Sequence, residues 1–296
     1  MANVSLVIMA AGMGSRFGGL KQLEPIGPNG ETLIDYAVYD AYQLGIREII
    51  LVVRKAFHEQ VSLSFKEKWK LYKDLKLTFI NQELNDVPSN DLIDINREKP
   101  WGTTHVLYVL RNHLKNSFIV MNADDYYGKE ALSKLYNHLK TSQDPNEQAM
   151  VSFKLRNTLS SHGGVTRGVC IVENNLLKSI QETKNLKLND KQEIESDSGN
   201  IEANSLVSMN LWGFHFDFLK YVLKDFQDFL KTADLNHDES LLPVTIQKYQ
   251  KSGAITVHVL TSSQDCLGMT FKEDLPKLKS FISSKIADSD YPQKIF

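Results

Sequence analysis

Cysteine is scarce in this chain: Cys170 and Cys266 are the only two in 296 residues. Each lies inside an apolar stretch, which argues against a disulfide scaffold and suits core packing in a reducing compartment. Long apolar runs are missing as well. None approaches the roughly 20 residues that span a bilayer, and no basic region leads into a long apolar one near residue 1, so a cytoplasmic protein without a membrane partner is expected. Neither sign of charge dominates. The formal net charge is -2 and no basic block occurs, which gives nucleic acid or a membrane surface no bulk electrostatic support. Any polyanion must be held locally. The rest is ordinary: 42% hydrophobic and 24% charged residues can bury the core of one large α/β domain or two small ones.

The densest signal lies between Leu6 and Lys21. Leu6 to Ala11 reads as a strand buried on both faces. Gly12, Gly14, Gly18 and Gly19 then clear side chains from a tight turn on which a ligand could lie against the amides of residues such as Ala11, Gly12, Gly14 and Ser15. Arg16 and Lys21 add two cations, so a phosphate chain fits. The alternative is a plain strand-to-loop turn with two solvated cations. Two phosphate motifs fail on spacing. For a Walker loop, Leu20 intervenes after Gly19 and Gln22 follows Lys21; for a dinucleotide fingerprint, the third glycine comes one residue late.

Beyond the loop, Leu33, Ile34, Ala37, Val38, Ala41 and Leu44 share a helical face that ends at Gly45. Glu48 to Val53 and Leu75 to Asn81 read as strands, with a helical pattern over 57–73 between them, and this alternation predicts a parallel sheet with right-handed crossovers. A polar loop covers 83–100, and a helix marked by Val106, Leu107, Leu110 and Leu114 follows. Strand Phe118 to Met121 runs into Asn122-Ala123-Asp124-Asp125. Carboxylates at the carboxyl end of a parallel strand suit ligand and Mg²⁺ binding, although one of them could instead cap the next helix near Lys129. A soft boundary near 145 separates 1–145 from 146–296, where strands Ala149 to Leu155, Gly168 to Glu173, Leu176 to Glu182 and Ser205 to Phe214 dominate. Disorder is the default expectation for the polar stretch 185–203, and Trp212 reads as core.

Ala-Ala-Gly-Met-Gly-Ser-Arg at 10–16, followed by Lys21, resembles the signature of the sugar-phosphate nucleotidylyltransferases, among them the glucose-1-phosphate uridylyl- and thymidylyltransferases. The resemblance is specific over the first 30 residues and around 100–128, and looser in the second half. It implies a Rossmann-like, mostly parallel mixed sheet flanked by helices, of nucleotidyltransferase or GT-A type. The first half would bind a nucleoside triphosphate and the strand-rich second half a sugar 1-phosphate, on one continuous sheet. It further implies Arg16 and Lys21 on the phosphates, Gly102 beside the base with Glu98 nearby, and Asp124 on Mg²⁺ with Asp125 as the fallback. Gly164 and Glu182 would hold the sugar, although Thr183 stands where the family has Lys and Lys184 follows one residue later. A second metal ligand is expected at Asp265, three residues before Gly268, while Cys266 occupies the place of the family's Asp. Asn210 or a water could complete the shell instead.

The reaction so implied is attack of a sugar 1-phosphate on the α-phosphorus with release of pyrophosphate, UTP or dTTP being the expected nucleotide. Alternatives are a cytidylyltransferase acting on an alcohol phosphate such as phosphocholine, a GT-A-type glycosyltransferase, for which Asp124-Asp125 lacks the Asp-x-Asp spacer, and a non-catalytic nucleotide sensor.

Overall fold

The apolar run after the amino terminus forms β1 (Val4–Met9), buried along most of its length. The computed structural model describes residues 3–12, 21–88 and 97–296. Thr32 caps α1 (Leu33–Gln43) with a capping box: the Asp35 amide donates to the Thr32 hydroxyl at 3.3 Å, and the Thr32 amide donates to the Asp35 carboxylate at 2.8 Å. That buried carboxylate also accepts from Lys68 at 2.7 Å and from the Trp69 indole at 3.0 Å. One side chain therefore starts α1 and ties it to the end of α2 (Lys55–Lys68), which follows β2 (Glu48–Val53) and precedes β3 (Lys76–Asn81).

After the polar loop come α3 (Thr103–Val109), β4 (Ser117–Asn122), the two-residue β5 (Asp125–Tyr126) and α4 (Gly128–Thr141). Next are β6 (Glu147–Lys154), β7 (Val165–Glu173), β8 (Leu176–Leu188), β9 (Ile194–Ser196), β10 (Gly199–Ile201) and β11 (Leu206–Phe214). The chain continues through α5 (Leu219–Thr232), α6 (Leu242–Lys251), β12 (Thr256–Thr261), β13 (Leu267–Gly268) and α7 (Leu275–Ala287).

Eleven strands make one sheet in the order β10-β9-β8-β12-β6-β11-β4-β1-β2-β3, with β7 against β8 and β11. The block β3-β2-β1-β4 is parallel, as the alternation of strands and helices predicts. Strand β11, antiparallel to both β4 and β6, carries the sheet into the second half. The sheet is mixed, parallel in the β3-β2-β1-β4 block, and covered by helices on both faces. Val7, Ile50, Val52 and Val120 turn to the side of α3, α5 and α6, whereas Leu6, Ile8, Leu51 and Ile119 turn to that of α1, α2 and α4. Alternating directions with both faces buried explain why these strands read as unbroken apolar runs. Trp212 is fully buried, as expected of a core residue.

The expectation of disorder over 185–203 is corrected. β8 extends to Leu188 and then folds back through β9 and β10. Its few apolar residues suffice because they are placed to meet: Leu186 and Ile194 are buried with Leu155, Val165 and Val207 in a satellite core, against which Ile201 packs. No helix of the described residues is long and apolar enough to cross a membrane.

Candidate active site

The parallel strands deliver their carboxyl ends to one edge of the sheet, where open α/β sheets bind ligands. At the end of β1, the Ala11 carbonyl accepts from Arg54 at 2.9 Å and the Gly12 carbonyl from Gln22 at 3.2 Å. Among the described residues, a side chain at Gly12 would meet nothing within 4 Å. Gly14, Ser15 and Arg16 fall outside the described residues. Lys21 does not: its ammonium forms an ion pair with Asp124, which follows β4, so the structure brings these two expected residues together. The Asp124 carbonyl in turn accepts from the Met269 amide at 2.9 Å.

Asp125 is not the helix cap that its position allows. Tyr127 occupies the N-cap of α4, and Asp125 instead lies in β5, paired with Gly268 of β13. It is 8% exposed and accepts from the Asn122 amide side chain at 2.8 Å. Burial, and then the adjacent Asp124 charge, push its carboxyl up to about 6. Two neighbouring carboxyls are thus held in different environments, one buried and one partly open.

On one side of these strand ends lies a cleft of about 420 Å³, bordered by Ala11, Arg54, Gln82, Glu98 and Trp101. Gly102 caps α3 beside it with φ 97, and a Cβ there would come 2.4 Å from the Ser240 carbonyl, so glycine is required. Gln82 was not singled out in the sequence. Its amide nitrogen reaches the Gly102 carbonyl at 3.2 Å and His105 Nδ1 at 3.2 Å. His105 Nε2 donates to the Asp86 carbonyl at 2.8 Å, and burial holds the ring neutral, its pKa lowered to about 4, so Nδ1 is the acceptor. Both Gln82 amide protons are thereby committed, and its carbonyl oxygen remains as an acceptor at the cleft. The neighbouring loop is braced by Arg97, buried and donating to the Lys99, Pro100, Leu235 and Asp238 carbonyls.

On the other side is a cleft of about 220 Å³ whose border includes Asn122, Asp125, Arg167, Gly168, Glu182 and Asn210. Glu182 lies on this border. Gly164 does not: it precedes β7, and a Cβ there would fall 2.1 Å from the Asn185 side-chain oxygen, away from this border. The glycine on the cleft is Gly168, directly opposite Glu182 in the β7–β8 ladder. Asn210 sits at the irregularity of β11 with φ 59, a conformation that Asn tolerates better than most residues. Asp265 is exposed in the turn before β13, and no cluster of three His, Cys, Asp or Glu side chains suited to a metal occurs among the described residues. The next residue, Cys266, is fully buried. Burial, and then the Asp125 charge, raise its thiol well above the usual range.

Residues 6–87 match the family model of the MobA-like NTP transferase domain. Among solved structures, the inositol-1-phosphate CTP transferase from T. maritima superposes with a TM-score of 0.62 at 13% identity, over 96% of this chain and 97% of that one. A putative glucose-1-phosphate thymidylyltransferase from Bacillus anthracis, solved with sucrose, gives 0.63 at 16% identity, over 94% of each chain. No curated protein matches the sequence. The resemblance read in the sequence is thus met by a family-model match over residues 6–87, and nearly the whole chain shares the fold of these two solved structures.

Proposed function

We propose that this protein transfers a nucleotidyl group from a nucleoside triphosphate to a sugar 1-phosphate and releases pyrophosphate, with UTP or dTTP and a hexose 1-phosphate as the first pair to test. The observation that carries the reading is the pair of clefts flanking the Lys21–Asp124 ion pair at the strand ends. The one bordered by Gln82 and Trp101, next to Gly102, suits a base, and the one bordered by Asn122, Asp125 and Glu182 a polyhydroxylated acceptor.

The attacking phosphate oxygen is ionised at neutral pH, so no general base is needed. Catalysis consists of aligning two anions and neutralising them. Arg16 and the amides of Ala11 to Ser15 would hold the departing pyrophosphate, and Lys21 would lie between the α-phosphate and the acceptor phosphate. Mg²⁺ takes one or two carboxylates and leaves its other positions to water and phosphate oxygens, a donor set that Asp124 fits. When bound there, Mg²⁺ would supply positive charge to the triphosphate. Asp265 is a weaker second ligand because it is exposed.

A second reading is cytidylyl transfer to an alcohol phosphate. It is favoured by the full-length likeness to an inositol-1-phosphate CTP transferase. One experiment separates the readings: pyrophosphate release from four nucleoside triphosphates against sugar 1-phosphates, inositol 1-phosphate and phosphocholine. Product from UTP or dTTP with a hexose 1-phosphate is expected; product only from CTP with an alcohol phosphate selects the second reading. Acceptor-independent pyrophosphate, or none from any pair, overturns both.

A further inference from the structure

The acceptor cleft has a charge problem. An acceptor that reacts through a phosphate brings a negative charge beside Asp125 and Glu182, and among the described residues on the cleft border Arg167 is the single Lys or Arg. The neighbouring strand does not help. Thr183 of β8 is buried with its hydroxyl donated to the Gln181 carbonyl at 3.3 Å, and the Lys184 side chain is 69% exposed, 4.0 Å from Glu182. Arg167 of β7 lies directly opposite Thr183 in the ladder, one position from the pair Gly168 and Glu182.

Its guanidinium is fixed without being neutralised. One terminal nitrogen donates to the Thr166 carbonyl at 3.0 Å and the other to the Thr158 carbonyl at 2.6 Å. These bonds use two of the five N–H donors of an arginine. Nε is buried with no partner, and no ion pair to Arg167 is present among the described residues. Asp125 borders the same cleft. A guanidinium held by neutral carbonyls, with donors to spare and next to a carboxylate at the reacting end, is arranged to receive an oxyanion.

We infer that Arg167 binds the phosphate of the acceptor, supplying from β7 the cation that β8 lacks, while Gly168 and Glu182 face the remainder of that molecule. The inference rests on the nucleotidyl-transfer reading and names the residue that makes the acceptor site selective for phosphates.

The test compares wild type, Arg167→Lys and Arg167→Gln in two assays. In steady-state pyrophosphate release, Arg167→Gln is expected to raise KM for the acceptor about 10- to 100-fold while KM for the nucleotide stays within about twofold. Arg167→Lys keeps the charge but loses the planar fork, and a rise of about tenfold is expected. In calorimetry without nucleotide, hexose 1-phosphate and inorganic phosphate should bind wild type and lose that binding in Arg167→Gln. An unchanged acceptor KM in an active Arg167→Gln enzyme overturns the inference and leaves nucleotidyl transfer intact. If wild type shows no transfer with any acceptor, the proposed function fails and calorimetry decides: equal phosphate binding by wild type and variant, or by neither, removes Arg167. Should Arg167→Gln fail to give a cooperative thermal transition, Arg167→Lys carries both assays, and wild-type values in it overturn the assignment.

Discussion

The two ends of the parallel strands treat charge in opposite ways. At the amino ends, Glu48 at the start of β2 accepts from Lys76 at 2.6 Å and from Ser5 at 2.7 Å, and Arg47 meets Asp74 at 2.6 Å with both side chains largely exposed. Hydrogen bonds from Tyr42 and Arg47 hold the Asp74 carboxyl below its usual range. Each charge there has its opposite within reach, in water. At the carboxyl ends, Asp124 and Asp125 are adjacent, Asp125 is buried, and among the described residues Arg167 is anchored by carbonyls alone. The difference is what the proposed function asks for: a polyanion with its counterion would complete the second arrangement and has nothing to add to the first.

Substitutions can break that contrast, and their effects should descend from one end to the other. Asp124→Asn and Lys21→Ala should each lower turnover by on the order of 10² to 10³, the usual cost of removing one preorganised charge, with thermal transitions close to wild type. Near-normal pyrophosphate release in both would remove the strand-end site. Gly102→Ala should destabilise by about 1–3 kcal/mol because a Cβ at φ 97 is strained and would press on the Ser240 carbonyl. Denaturant titration measures this, and a wild-type midpoint would show that the backbone beside the base cleft yields.

The third prediction concerns a buried acid behind the site. Asp40 accepts from the Tyr291 hydroxyl at 2.9 Å, Tyr291 shares a 2.9 Å hydrogen bond with Tyr126, and burial raises the Asp40 carboxyl to about 7. The folded protein thus keeps a proton that the unfolded chain releases near pH 4. The contribution of Asp40 is complete below that pH and is lost as pH rises toward 7, at up to roughly 1.4 kcal/mol per pH unit. Melting temperatures taken from pH 4 to 8 should fall less steeply in Asp40→Asn than in wild type; parallel profiles would refute the buried proton. The smallest effect belongs to the amino ends. Arg47→Ala should change stability by less than about 1 kcal/mol and leave turnover unaltered, and a loss of activity there would erase the contrast between the two ends.

Much of this architecture could be read from the residues. Unbroken apolar runs marked β1, β2 and β4, and their spacing with helices gave the parallel block, because two-sided burial leaves a plain signature. What lay hidden depends on pairing between distant segments. Nothing local to Thr256–Thr261 says that it inserts beside β6, and the hairpin of β9 and β10 rests on Leu186 and Ile194, too sparse to stand out among polar neighbours. At the candidate site, Asp124, Lys21, Gly102 and Glu182 stand out in the sequence by motif and strand-end position, and they lie at or beside the two clefts. Gln82 follows β3 in a polar context and gains meaning only when α3 brings Gly102 and His105 to it. Arg167 looks like a solvated strand residue until the ladder sets it against Thr183. Gly164 and Gly168 are indistinguishable by composition, and only the register with Glu182 selects the latter.

The small ladder between β5 and β13 has a consequence for biosynthesis. Asp125 pairs with Gly268, where a Cβ would sit 2.5 Å from the Asp125 carboxylate oxygen, and Tyr126 is joined to Tyr291. The proposed site therefore cannot be finished halfway through translation. The strands of the parallel block emerge first, yet the acidic tip of β4 acquires its final surroundings only after residue 291 has left the exit tunnel, so a chain terminated early would lack them.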